Sequence, residues 1–223
     1  MRVRSSIYNR FTVLGMMAVA LFAMIAFAGT ARATRITAEP DDFTVGTDIS
    51  DAFEGMTLSA IGPGWNEPTG RVFAVDPVNN QLEPYGASTG NLVFGTDDGS
   101  YPHLFRDREL LQMRADFTTL MQEVSLDFIG NDPADTGVLE AYDSSGNLLG
   151  RSLSPSLGLG EVANINFHSS SENIAFIVAG GVDGLSSIGM DNLSVMHSPE
   201  PATLALLATG LAGLLLIRRR RRS

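Results

Sequence analysis

Gly86-Ala87-Ser88-Thr89-Gly90 spells the Gly-x-Ser-x-Gly string of a nucleophile elbow, where a strand–turn–helix lifts a serine hydroxyl toward a base. Here Asn91-Leu92-Val93-Phe94-Gly95 follows, which reads as strand, so the sequence predicts a glycine-rich loop around Ser88 rather than a catalytic turn. A glycosidase needs two carboxyl groups at a defined separation, and Asp127 and Glu140, expected on neighbouring strands, are the pair to consider. Solvated strand faces account for the same residues without chemistry. His103, His168 and His197 have no metal partner at helical or hairpin spacing. His168 falls on the polar face of its strand and His197 in the linker before the tail, so the histidines read as solvent-facing. Asp132 and Asp135 share a loop and offer the hard oxygen ligands that calcium prefers. Trp65, the single tryptophan, lies in Gly62-Pro63-Gly64-Trp65-Asn66, a place where a ring either stacks on a sugar or folds back over the domain. Asn192-Leu193-Ser194 matches a glycosylation sequon but coincides with the expected last strand, so it reads as structural.

The elements that position these residues read as strands. Val124, Leu126 and Phe128 alternate with Ser125 and Asp127, and Ala163, Ile165 and Phe167 alternate with Asn164, Asn166 and His168, each giving one apolar and one polar face. Leu111 to Phe117 alternates in the same way, although its residues also have fair helical propensity. Ile174 to Val178 is nearly continuously apolar and suits a central strand. Asp143-Ser144-Ser145-Gly146-Asn147 is a turn, with Asp bonding its own backbone and Gly146 supplying positive φ, so Val138–Tyr142 and Leu148–Leu153 should form a hairpin. Weaker strands are expected at Met56–Ile61, Arg71–Val75 and Leu92–Phe94. Turn signals at roughly ten-residue spacing predict an all-β, antiparallel two-sheet sandwich.

Charge and hydropathy divide the chain of 223 residues into three parts. All 15 basic residues are Arg, and nine of them lie in the first 32 or last six positions. Between Thr34 and Ser198, 6 Arg face 24 acidic residues, a net charge of −18 where the whole chain carries −10. Such a domain lacks the basic face that nucleic acid requires. With no Cys, disulfides, zinc–thiolate clusters and thiol catalysis are also absent. At the N-terminus a basic head, an uncharged run from Phe11 to Ala28 and Ala31-Arg32-Ala33 match a secretory signal peptide, with cleavage expected after Ala33 by the signal peptidase of the general secretion machinery.

The C-terminus reads Ser198-Pro199-Glu200-Pro201, sixteen uncharged residues from Ala202 to Ile217, then Arg218, Arg219, Arg220, Arg221 and Arg222. A helix of that length reaches about 24 Å against a hydrocarbon core of ~30 Å, a marginal span whose Arg end stays cytoplasmic. This order resembles the PEP-CTERM sorting signal of Gram-negative bacteria, although members often carry Val where Ser198 stands. The resemblance implies processing by an exosortase-type membrane protease, with Pro199, Glu200 and Pro201 as its motif, and delivery by way of the inner membrane to the envelope or exterior. It divides the chain into a signal peptide (1–33), an exported domain (34–197) and a sorting signal (198–223) with a short transmembrane helix.

Within the domain, Asp-Phe-Ile-Gly-Asn-Asp at 127–132, Leu-Glu-Ala-Tyr-Asp at 139–143 and Met-Asp-Asn-Leu-Ser-Val at 190–195 resemble exported jelly-roll domains, which are similar to galactose-binding-like and carbohydrate-binding modules. In such modules a structural calcium bridges acidic residues near the first and last strands. That resemblance implies Asp41 or Asp42 with Asp191 as ligands. The expectation is a non-catalytic envelope or extracellular-matrix protein that contacts polysaccharide, with Trp65 as the binding ring. A small secreted glycosidase or esterase is the alternative.

Overall fold

The computed structural model describes residues 33–62, 68–78, 86–97, 102–105, 111–131, 133–182 and 188–197, together with Gly210. The expected signal helix and transmembrane helix, the Pro199–Pro201 motif, the Arg218–Arg222 cluster, Trp65 and Asp132 lie outside the described residues.

Thirteen strands are described: β1 Thr34–Ala38, β2 Met56–Ile61, β3 Pro68–Gly70, β4 Val72–Val75, β5 Val93–Asp97, β6 Pro102–Leu104, β7 Gln112–Met121, β8 Glu123–Gly130, β9 Gly137–Tyr142, β10 Leu148–Leu153, β11 Val162–His168, β12 Ile174–Gly181 and β13 Ile188–His197. They form a four-stranded sheet in the order β1-β13-β8-β11, a six-stranded sheet in the order β10-β9-β12-β7-β2-β3, and a small sheet β4-β5-β6. All pairings are antiparallel.

The strand order fixes the fold type. Taking β1 and β7 to β13 as eight strands, the chain crosses between the sheets at every step but the β9–β10 hairpin, so that β1-β13-β8-β11 faces β7-β12-β9-β10, the arrangement of a jelly roll. Strands β2 to β6 are inserted between the first and second jelly-roll strands; β2 and β3 widen one sheet and β4 to β6 form the small third sheet.

The period-two pattern explains the core. Val124, Leu126 and Phe128 of β8 meet Leu139 and Ala141 of β9 and Ile177 of β12 in one cluster between the sheets. Each fully buried side chain of this size contributes about 2 kcal/mol. Segment 111–117, ambiguous between strand and helix, is drawn into β7 because β2 and β12 pair with it on either side. The predicted hairpin forms: Asp143 Oδ1 accepts from the Ser145 and Asn147 amides at 2.8 and 2.9 Å, and Gly146 stands at φ +80°.

Two expectations are corrected. His197 is the last residue of β13, paired with Thr34, because the strand runs ten residues instead of ending in a linker. Asp127 and Glu140 are not on neighbouring strands. The connection from β8 to β9 crosses between sheets, so Asp127 and Glu140 alternate with core residues on opposite outer faces of the sandwich. Thr34–Ser198 forms one compact unit.

Candidate functional site

The loop leading into β5 lies across the outer face of the four-stranded sheet, where carboxylates accept from its amides and hydroxyls while Ala87 and Leu92 pack against apolar clusters. The Ser88 and Thr89 amides donate to Asp191 Oδ2 at 2.9 and 3.0 Å. The Asn91 and Leu92 amides donate to Asp41 Oδ1 at 2.7 and 3.2 Å. Between these anchors Gly90 adopts φ +51°, and a Cβ there would stand 2.2 Å from the Asp41 carboxyl group. Both the left-handed backbone and the close approach demand glycine. The Gly-x-Ser-x-Gly string thus serves to wrap a loop over acidic residues.

The sheet side is built by a β-bulge. Asp191 pairs with Asp127 and Ser194 with Ser125, which leaves one extra residue on β13. Asn192 takes up the excess at φ +49°, a left-handed conformation that Asn tolerates better than most residues. The bulge lets Asp191 and Asn192 face outward together. Asn192 Nδ2 then donates to Asp127 Oδ2 at 3.1 Å, and Asn164 Nδ2 from β11 donates to Asp127 Oδ1 at 2.6 Å. The sequon asparagine is therefore structural. Asp191 is fully buried and Asp127 nearly so.

Glu39 and Asp41 come from the other side. Pro40 disfavours helix at Glu39, and a 3-10 turn over Pro40–Asp42 then brings the two acidic side chains to the same loop. Glu39 Oε2 accepts from Thr89 Oγ1 at 2.9 Å. Burial, followed by the negative charge of Asp191, pushes the Glu39 carboxyl up to about 7.

Proton counting exposes a deficit. The Ser88 hydroxyl lies 2.8 Å from Asp127 Oδ2 and 2.9 Å from Asp191 Oδ2, yet it carries one hydrogen. Thr89 Oγ1 likewise faces both Glu39 and Asp191. Glu39 Oε1 and Asp41 Oδ2 are buried with no hydrogen-bond partner. Unpaired buried carboxylate oxygens are costly, and either a shared proton or a hard cation satisfies them. The oxygen donor set suits calcium. Among the described residues no group of three or more His, Cys, Asp or Glu side chains is arranged to hold a metal ion, so a cation here would draw most of its coordination shell from backbone, amide or water oxygens.

Of the acidic residues singled out by sequence, the structure brings Asp41 and Asp191 to this loop and leaves Asp42 exposed. Asp135 is buried and clamps its own turn, accepting from the Asn131 amide at 2.7 Å. Glu39, Thr89 and Asn164 are members of the site that the sequence did not reveal. Ser88 contacts carboxylates, and among the described residues no histidine is one of its hydrogen-bond partners. His168 and His197 lie within 3.8 Å of Glu123 and 3.7 Å of Glu172. His103 falls on β6, with its side chain outside the described positions.

The outer face of the six-stranded sheet is aromatic. Tyr142 and Phe176 stack with centroids 4.8 Å apart and planes 5° from parallel, and the Arg114 guanidinium lies 3.9 Å from the Phe176 centroid. Arg114 also chelates Asp116 with two hydrogen bonds. Tyr142 donates to Glu140 Oε2 at 2.6 Å, and Arg151 lies 3.5 Å from Glu140 Oε1. Burial, then the bond to Glu140, raises the Tyr142 pKa. Both rings are under 8% exposed, so they form a covered stack and not an open platform.

Residues 199–222 match the family model for the PEP-CTERM protein-sorting motif. The chain carries a PEP-CTERM sorting signal. The motif marks it as a substrate for exosortase processing and as an exported protein sorted to the envelope. No curated protein matches it by sequence. Among solved structures, the K2 cleaved adhesin domain of Lys-gingipain is 12% identical, with a TM-score of 0.45 over 73% of this chain and 99% of that one. The C-terminal family 22 carbohydrate binding module of Clostridium thermocellum Xyn10B is 12% identical, with a TM-score of 0.40 over 69% and 92%. A DUF4465 family protein from Bacteroides caccae is 13% identical, with a TM-score of 0.39 over 76% and 95%. The jelly-roll assignment of this PEP-CTERM protein rests on its own strand order.

Proposed function

We propose that the exported domain is a non-catalytic component of the envelope or extracellular matrix that contacts polysaccharide, and that a structural calcium braces its 86–92 loop. The chain reaches its site through transient residence in the inner membrane of a Gram-negative cell, after removal of the signal peptide by signal peptidase. The observation that carries the reading is the use made of the acidic residues around Ser88. Asp127 and Asp191 are buried and tied by amide, hydroxyl and backbone donors, which makes them struts and not acid–base groups. Asp127 and Glu140 stand on opposite faces, so they do not flank one glycosidic bond.

Glu39 and Asp41, beside Asp191, are the residues that would hold the cation through their unpartnered oxygens. Bound there, calcium would neutralise carboxylates that the fold packs together. For polysaccharide, the sequence offers Trp65 as the stacking ring, because the described aromatic stack is covered.

The test is a glycan-array and turnover screen of residues 34–198. The expected outcome is no hydrolysis of polysaccharide or ester, with any glycan retention falling more on Trp65→Ala than on Asp127→Asn or Glu140→Gln. Turnover abolished by either carboxylate change or by Ser88→Ala would establish the hydrolase instead.

A further inference from the structure

The residue that follows the expected signal-peptide cleavage position and the last described residue before the sorting motif meet at one cross-strand pair. Thr34, the residue after the expected signal-peptide cleavage position, is the first of β1, and it pairs with His197, the last of β13. Antiparallel partners of this kind sit roughly 5 Å apart between Cα atoms. In the sequence one residue, Ser198, separates His197 from the Pro199-Glu200-Pro201 motif, and an extended residue spans only about 3.3 Å.

The chain just upstream of the motif is also occupied. Met196 pairs with Arg35 on one side and Glu123 on the other, and its carbonyl accepts from the Gln122 amide at 2.9 Å. A protease that takes its substrate as an added strand needs several residues with free backbone groups. Over Leu193–His197, the part of β13 next to the motif, β1 occupies the outer edge until it leaves.

β1 is suited to leaving. It is five residues long, lies at the edge of its sheet, and buries only Ala38. Beyond its backbone pairs, its polar side-chain ties are Arg35 to Ser194 at 3.2 Å and Arg35 to Glu123 at 3.7 Å, and its apolar ones are Ala38 in the core and the partly buried Ile36 packed against it. Strands with few buried contacts open locally at low free energy. The β8 side of β13, by contrast, is closed by the core residues Val124, Leu126, Leu193 and Val195.

We propose that the β1–β13 zipper gates processing of the tail. Docked β1 occludes the edge of β13 next to the sorting motif, and peeling β1 exposes that edge as the strand a processing protease binds. The stability of five cross-strand pairs therefore sets the rate of tail removal. The inference rests on the tail being a processed sorting signal.

The experiment is a pulse–chase of the full chain in its exporting host. Because the protein has no Cys, Thr34→Cys with His197→Cys introduces one cross-link at a pair whose spacing suits a disulfide. Locking should slow tail removal by about tenfold or more, since a cross-link suppresses strand opening. Reductant should restore the parental rate, and so should six Gly/Ser residues inserted between Ser198 and Pro199 in the locked chain. Arg35→Ala, which loosens the zipper without a cross-link, should speed processing. A locked chain processed at the parental rate, or an Arg35→Ala chain that is no faster, would overturn the gate. Changing Pro199, Glu200 and Pro201 to Ala in parallel separates the two failures. If that chain is still processed, the sorting reading falls; if it is retained while the lock has no effect, only the gate falls.

Discussion

The two outer faces of the sandwich solve the same problem with opposite chemistry. Over the four-stranded sheet, a loop is held down by backbone amides and hydroxyls bonded to Glu39, Asp41, Asp127 and Asp191. Over the six-stranded sheet, Tyr142 and Phe176 stack beneath Arg114 and are framed by Asp116, Glu140 and Arg151. The aromatic face balances its charges: two Arg meet two carboxylates at short range. The acidic face has no Arg or Lys among the described partners of its four carboxylates, and it is left with two buried oxygens lacking a partner. An acidic chain can cover one sheet with internal ion pairs, but where it concentrates carboxylates without Arg, a retained proton or the proposed cation is what would offset them.

Changes on the acidic face should therefore cost most. Asp191→Ala removes a fully buried acceptor and strands the Ser88 and Thr89 amides, a loss of about 3 kcal/mol from unsatisfied donors, readable as a lower denaturant midpoint for residues 34–198. A loss under ~1 kcal/mol would mean that the loop is held by packing instead. On the aromatic face, Arg114→Ala should cost about 1 kcal/mol, the combined worth of a half-buried cation–π contact and an ion pair. It should leave any calcium response intact. Arg114→Ala abolishing that response would erase the distinction between the faces.

The smallest effect is in pH. Glu39 is raised from 4.5 to about 7, so between these values the folded chain binds more protons than the unfolded one. Its contribution is fully present below pH 4.5 and is lost as pH rises through about 7. In calcium-free buffer the melting temperature should thus fall over this window, by an amount equivalent to about 1 kcal/mol after solvent screening is discounted. Glu39→Gln should flatten that part of the slope; an unchanged slope would remove Glu39 as its source.

Sequence revealed the strands whose two faces differ. Alternation in Val124–Phe128 and Ala163–Phe167 gave β8 and β11, and the Asp143–Asn147 turn gave the β9–β10 hairpin. It did not reveal β1, because Thr-Arg-Ile-Thr-Ala is a short edge strand with one buried residue. Nor does alternation say whether consecutive strands share a sheet. That is why Asp127 and Glu140, expected side by side, stand on opposite faces. At the site, Asp41 and Asp191 were legible only through a family resemblance. Glu39 joins them because Pro40 and the 3-10 turn bring positions 39 and 41 to one loop, and the outward pairing of Asp191 with Asn192 depends on a bulge with no sequence signature beyond an Asn. The gating zipper was invisible for a simpler reason: His197 read as linker.

The proposed calcium at the acidic face is tested most directly by calorimetric titration of calcium into chelator-stripped residues 34–198, compared with the Glu39→Gln/Asp41→Asn double variant. One calcium per chain should bind to the parent and raise its melting temperature by mass action, and the variant should bind none while keeping its fold. Absence of binding to the parent, or equal binding to both, would contradict the account.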